Sequence, residues 1–129
     1  MSQGNLRKSV IVIDDDKDTA EIFSEYLSMH GFDILGIGHN GKSAFELYVK
    51  LRPEVLFLVS MMPEYDGLYG LEMIKSLDPD AKIIMVTADM SDISRRKILA
   101  LGADSIIYKP FELGQIIRAI NGLSGVHTG

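Results

Sequence analysis

Short apolar runs alternate with helix-spaced stripes along the chain. Ser9-Val10-Ile11-Val12-Ile13 is a continuous, mostly β-branched run. It reads as a strand buried on both faces, the kind found inside parallel sheets. Val55-Leu56-Phe57-Leu58-Val59 and Ile83-Ile84-Met85-Val86-Thr87 read the same way, and Phe32-Asp33-Ile34-Leu35 and Ser105-Ile106-Ile107-Tyr108 are weaker versions. Between them lie apolar residues at helical spacing. Asp18 is expected to cap the first helix, with Glu21 three residues on as in a capping box. In that helix Phe23, Leu27 and His30 are expected to share a face with Ile22 and Tyr26, and Gly31 to end it. Ala44, Leu47, Tyr48 and Leu51 mark a second helix, ended before Pro53. Leu68, Leu71, Ile74 and Lys75 mark a third, ended at Asp78-Pro79. Ser91 or Asp92 opens a fourth that closes at Gly102, and Leu113, Ile116, Ile117 and Ile120 define a fifth.

Five strands alternating with five helices predict an α/β fold, an open parallel sheet with helices on both faces. Right-handed crossovers make it doubly wound. Ligands of such folds bind where loops leave the carboxyl ends of the strands, so those ends hold the candidate chemistry.

Composition narrows the class. At 129 residues the chain fits one domain, expected to span 1–129 with 1–7 and 122–129 as flexible ends. With 47% hydrophobic and 24% charged residues it resembles an ordinary soluble protein. The net charge of −5 argues against nucleic acid as a partner. No run is long and apolar enough to span a bilayer, and the polar start lacks the apolar core of a signal peptide. A cytoplasmic location without membrane contact is expected. The absence of cysteine removes disulfides, thiolate metal sites and cysteine nucleophiles.

The first strand runs into Asp14-Asp15-Asp16. Adjacent carboxylates beside an apolar strand are costly unless a cation joins them. Magnesium typically takes one or two carboxylates plus waters. Asp16 and Asp18 fit the acid preference of a helix N-terminus; Asp14 and Asp15 point to a functional pocket. The fourth strand ends in Thr87-Ala88 and the fifth in Tyr108-Lys109-Pro110-Phe111. A lysine at that edge can neutralise carboxylates and bind a phosphoryl oxygen, and the threonine hydroxyl can donate a further hydrogen bond. The Lys109-Pro110 bond is a candidate for the cis form.

These features together resemble the receiver domain of two-component response regulators, the family of the chemotaxis regulator. The likeness rests on the acidic pair Asp14-Asp15, on Met62-Pro63-Glu64-Tyr65-Asp66-Gly67 after the third strand, on Thr87-Ala88, and on Lys109-Pro110-Phe111. It runs from about Lys8 to Asn121. It implies a flavodoxin-like sheet of order 2-1-3-4-5, which is the family's known order. It also implies phosphorelay signalling without enzyme activity, and a sensor histidine kinase or a downstream signalling protein as partner. In the family a kinase donates a phosphoryl group to an aspartate ending the third strand. The acid pair and that aspartate hold a metal, and lysine and threonine hold the phosphoryl oxygens.

The sequence departs from this pattern at two positions. The family's acceptor lies four residues before the proline of the Met-Pro motif, and Val59 stands there. An aliphatic side chain cannot form an acyl phosphate. The expected metal ligands are then Asp14, Asp15 and the backbone carbonyl of Met61, with magnesium held more weakly than in an intact site. Ser60 and Asp66 are poor substitutes, one by strand alternation and the other by distance. The switch aromatic expected three residues before the lysine is replaced by Ile106, and Tyr108 is expected out of parity with it and outside the same groove. The intact Asp14, Asp15, Thr87 and Lys109 fit an introduced loss of the acceptor, whereas Ile106 leans toward natural divergence.

Two other readings compete. The family's partner face would here present Arg95, Arg96, Lys97, Tyr108, Phe111 and Arg118, which suits a constitutive interaction domain, a pseudo-receiver. The series Gly36-Ile37-Gly38-His39-Asn40-Gly41 matches a dinucleotide fingerprint literally, which would suggest a nucleotide- or flavin-binding enzyme. It follows the second strand, and the next strand lacks the ribose-binding acid, so a glycine-rich turn is favoured. His30, His39 and His127 form no evident metal or acid–base set. The chain reads as a standalone receiver or a fragment of a longer protein.

Overall fold

A computed structural model describes residues 8–59 and 67–123 of the chain. The order of elements is β1 (Lys8–Ile13), α1 (Lys17–Met29), β2 (Phe32–Gly38), α2 (Gly41–Leu51), β3 (Val55–Val59), α3 (Gly67–Leu77), β4 (Ile83–Thr87), α4 (Asp92–Ala100), β5 (Ser105–Tyr108) and α5 (Leu113–Asn121). All strand pairs are parallel, in the order β2-β1-β3-β4-β5. This is the expected flavodoxin-like sheet. The reversal of strand order between β1 and β3 puts a crevice at their carboxyl ends.

The central strands are apolar along their middles because helices cover both faces. All five residues of β3 and all five of β4 are buried. Phe57 in β3 meets Phe23 of α1 edge-on, with ring centroids 5.0 Å apart. α1 turns Ala20, Phe23, Ser24 and Leu27 inward, whereas Ile22, expected on the same face, is exposed. Its position falls off the stripe that repeats every three to four residues.

The first helix starts earlier than expected. Asp16, not Asp18, is its cap: Asp16 Oδ1 accepts from the Asp18 amide at 3.2 Å and Oδ2 from the Thr19 hydroxyl at 2.6 Å. Gly31 ends that helix at φ +90°. Asn40 caps α2 in a box with Ser43, and Arg52 closes it in the left-handed region. β2 runs three residues beyond its apolar core, through Gly36-Ile37-Gly38. Beyond α5, where a loose tail was expected, Leu123 is buried and its amide donates to the Ile120 carbonyl.

The glycines of that literal fingerprint serve packing. A Cβ on Gly38 would lie 2.7 Å from Ser43 Oγ and 2.8 Å from Ile13 Cδ1, so the glycine is needed for the close packing of β2 on α2 and β1. Gly41 is buried in α2, and its backbone sits against Gly70 of α3, where a Cβ would be 3.2 Å from the Gly41 carbonyl oxygen. The series is not the glycine-rich turn expected: it is the end of β2, a two-residue bend at His39-Asn40 and the first residue of α2.

Candidate functional site

Strand register brings the predicted residues to one edge. Ile13 pairs with Leu58, Leu58 with Met85, and Met85 with Ile106. One step further, Asp14 is level with Val59, and Val59 pairs with Val86. A step beyond, Thr87 pairs with Tyr108, and the Lys109 amide donates to the Thr87 carbonyl at 2.8 Å. The Lys109-Pro110 bond is cis.

Asp14 is the buried acid of the group, 4% exposed, while Asp15 is exposed. Burial pushes the Asp14 carboxyl above its ordinary value; the Asp16 amide, donating to Asp14 Oδ1 at 3.0 Å, and the positive charge of Lys109 act in the opposite direction. Lys109 is half-buried and its field reaches both Asp14 and Asp16. Asp16 is held below the usual carboxylate range, first by the Thr19 hydroxyl, which is the mark of a helix cap. Thr87 is fully buried, and its Oγ1 accepts from the Asp89 amide at 3.0 Å. Val59, 5% exposed, presents carbon where the acid pair's strand neighbour ends.

A residue that sequence reasoning passed over supports this edge. His39 Nδ1 lies 2.8 Å from the Asp14 carbonyl. A carbonyl can only accept, so Nδ1 carries the proton. The bond ties the end of β2 to the end of β1. Its signal in the sequence was position: once β2 flanks β1, the residue after Gly38 must sit beside Asp14.

Asp14 and Asp15 together suit a hydrated magnesium ion, which takes one or two carboxylates and keeps waters. The desolvated Asp14 carboxyl is the group such an ion would relieve. No cluster of three metal-ligating side chains occurs among the described residues. Met61, Ser60, Asp66 and the Met-Pro motif from Met62 to Pro63 lie outside the described residues, as do residues 1–7 and 124–129 with His127.

The expected partner residues lie on α4, in β5, and before and within α5. Arg95 and Arg96 pair with Asp92 along α4, at 3.2 and 3.9 Å, and both are exposed; Lys97 is exposed beside them. Phe111 is half-buried and tilted against Phe23 at 6.0 Å, which makes it part of the packing around α1. Tyr108 and Arg118 line a groove of about 520 Å³ with Ile106, Pro110 and Gln115. This corrects the expected parity. Tyr108 is two residues from Ile106, so both face the same side while Ile107 turns into the core.

A doubly wound parallel sheet of this order, with acids, a hydroxyl and an ammonium at its carboxyl edge, is of the flavodoxin-like class of folds. Residues 10–121 match the family described as the response regulator receiver domain, and the chain belongs to it. The family is in general one of signalling modules and not of enzymes. The chain is 29% identical over 117 residues to the chemotaxis protein CheY of Thermotoga maritima, covering 91% of this chain and 98% of that one. It is 34% identical over 116 residues to protein CcdB of Bacillus subtilis, covering 90% and 97%. A chain of the CheX-CheY-BeF3-Mg complex from Borrelia burgdorferi shares the fold, with a TM-score of 0.85 over 93% of this chain and 96% of that chain at 22% identity. No described helix is long and apolar enough to cross a membrane.

Proposed function

We propose that the chain is a two-component receiver module in which Val59 occupies the phosphoacceptor position. It then takes no phosphoryl group by the aspartyl route and meets its partners constitutively. The observation that carries this reading is a buried aliphatic side chain ending β3, level with Asp14. Valine offers no oxygen to attack phosphorus and none to a metal. Asp14 and Asp15, with the Met61 carbonyl, would hold magnesium weakly, and the ion would supply charge neutralisation at the acid pair. Thr87 and Lys109 are the groups that would face a phosphoryl oxygen. The signalling partner, a histidine kinase or a downstream protein, would meet α4, β5 and α5, with Tyr108 standing beside Ile106 where the family keeps its switch aromatic.

Incubation with acetyl phosphate and magnesium, followed by intact mass measurement, tests the reading. The unaltered chain should gain no phosphoryl adduct, and Val59→Asp should gain an acid-labile one. An adduct on the unaltered chain overturns the proposal.

A further inference from the structure

β2 is the outer strand of the sheet on the side away from β5, and among the described residues it pairs with β1 alone. Its other edge offers backbone donors and acceptors to an added strand. A groove borders each side of that edge, and Ile37, 36% exposed, contributes to both. Toward α2 the groove measures about 450 Å³, with Leu47 and Gly38 in its wall. Toward α1 it measures about 380 Å³ and holds Glu21, Ser24, Glu25 and Ile34.

Two observations say what fits. Glu21, Glu25 and Asp33 are exposed, and none has an ion-pair partner among the described residues. Leu47 and Ile37 add apolar surface, one on each side of the same edge.

We propose that the β2 edge binds an extended, basic segment of another protein by strand addition. Alternate side chains of a strand point to opposite faces. Basic ones would meet Glu21 and Glu25 on the α1 side, beside Ile37, and apolar ones would lie over Leu47 on the α2 side. The contact is short, because the register shift that leaves Leu35 as an extra residue in β2 divides the edge. A second copy is the wrong occupant. Pairing two copies through β2 would set the same acids against each other on chains of net charge −5.

The probe is a short capped peptide of alternating Lys and Val, titrated into the full chain and followed by amide NMR, with a Glu-for-Lys peptide as control. Shifts should concentrate in residues 32–38 and in α1. The double substitution Glu21→Lys with Glu25→Lys should weaken binding roughly tenfold, the loss expected for two exposed charge pairs. Equal binding of the acidic peptide overturns the proposal. So do shifts confined to the Tyr108–Arg118 groove, an unchanged affinity in the lysine variant, no binding at all, or a dimer of the chain mapped to β2.

Discussion

Val59 is the position where a single carboxylate would change the most. Its side chain is 5% exposed and its whole strand is buried. Replacing it with asparagine forfeits about 1.5–3 kcal/mol of apolar burial. An amide left short of partners adds about 1 kcal/mol or more. Val59→Asn should therefore destabilise the chain by about 3 kcal/mol, a fall in Tm of roughly 10 °C for a domain this size. Val59→Asp has nearly the same shape and adds a charge level with the buried Asp14, whose own carboxyl burial already disfavours as an anion. It should be less stable than Val59→Asn at neutral pH, with Lys109 offsetting part of the difference. Magnesium then separates the two variants. An ion present at one hundred times its dissociation constant stabilises a folded protein by about 2.7 kcal/mol. That gain should be seen in full for Val59→Asp, which completes an oxygen site, and much less for Val59→Asn or the unaltered chain. Urea unfolding of all three proteins with and without magnesium gives the comparison. Equal stabilisation of all three by magnesium, or a metal-free Val59→Asp as stable as Val59→Asn, would show that position 59 does not face the acid pair.

Asp14→Asn should raise Tm at neutral pH, because burial disfavours the ionised carboxyl and asparagine keeps the oxygen that accepts the Asp16 amide. The gain should vanish as pH falls and the carboxyl becomes neutral in folded and unfolded chains alike. Burial, and then the hydroxyl's hydrogen bond to Asp78 at 2.5 Å, pushes the ionisation of Tyr48 up to about 12 from 10.0. A raised folded value means that this contribution is complete below pH 10 and lost as pH rises toward 12. Asp78, held low by the same bond, contributes above the ordinary carboxylate range and loses its share in acid. Tyr48→Phe should flatten both limbs of a stability–pH curve from chemical unfolding. Phe57→Ala should cost about 3–5 kcal/mol by calorimetry, since it empties the position against Phe23 in the centre of the sheet. Gly70→Ala gains helix propensity of about 1 kcal/mol. It also presses a methyl within 3.2 Å of the Gly41 carbonyl oxygen, so a net loss of stability is expected in a melting experiment.

What the sequence made legible was what burial on two faces imposes. β3, β4 and β5 coincide with their apolar runs to the residue. The edge strand was cut short, because Gly36-Ile37-Gly38 carries little apolar signal. Edge strands escape the demand for burial on both faces, and here glycines replace side chains where α2 and β1 press close. The cap at Asp16 was misplaced for a related reason. Three aspartates in a row offer several chemically equal caps, and the choice depends on where β1 releases the chain. Asp14 turns back to receive the Asp16 amide, and that leaves Asp16 as the first residue able to reach the amide of Asp18 and the hydroxyl of Thr19. The parity of Tyr108 was arithmetic that the half-buried pattern of β5 corrects. An aromatic ring shares a groove with Ile106, two residues away on the same face of the strand. His39 was beyond reach for a third reason: its role exists between strands and not along one. A histidine after a glycine pair has no meaning in one dimension. It acquires one when β2 lies beside β1 and the Asp14 carbonyl needs a donor. The acid pair, threonine and lysine could be read because each ends an apolar strand. Their supports could not, because those come from whichever loop the sheet order brings alongside.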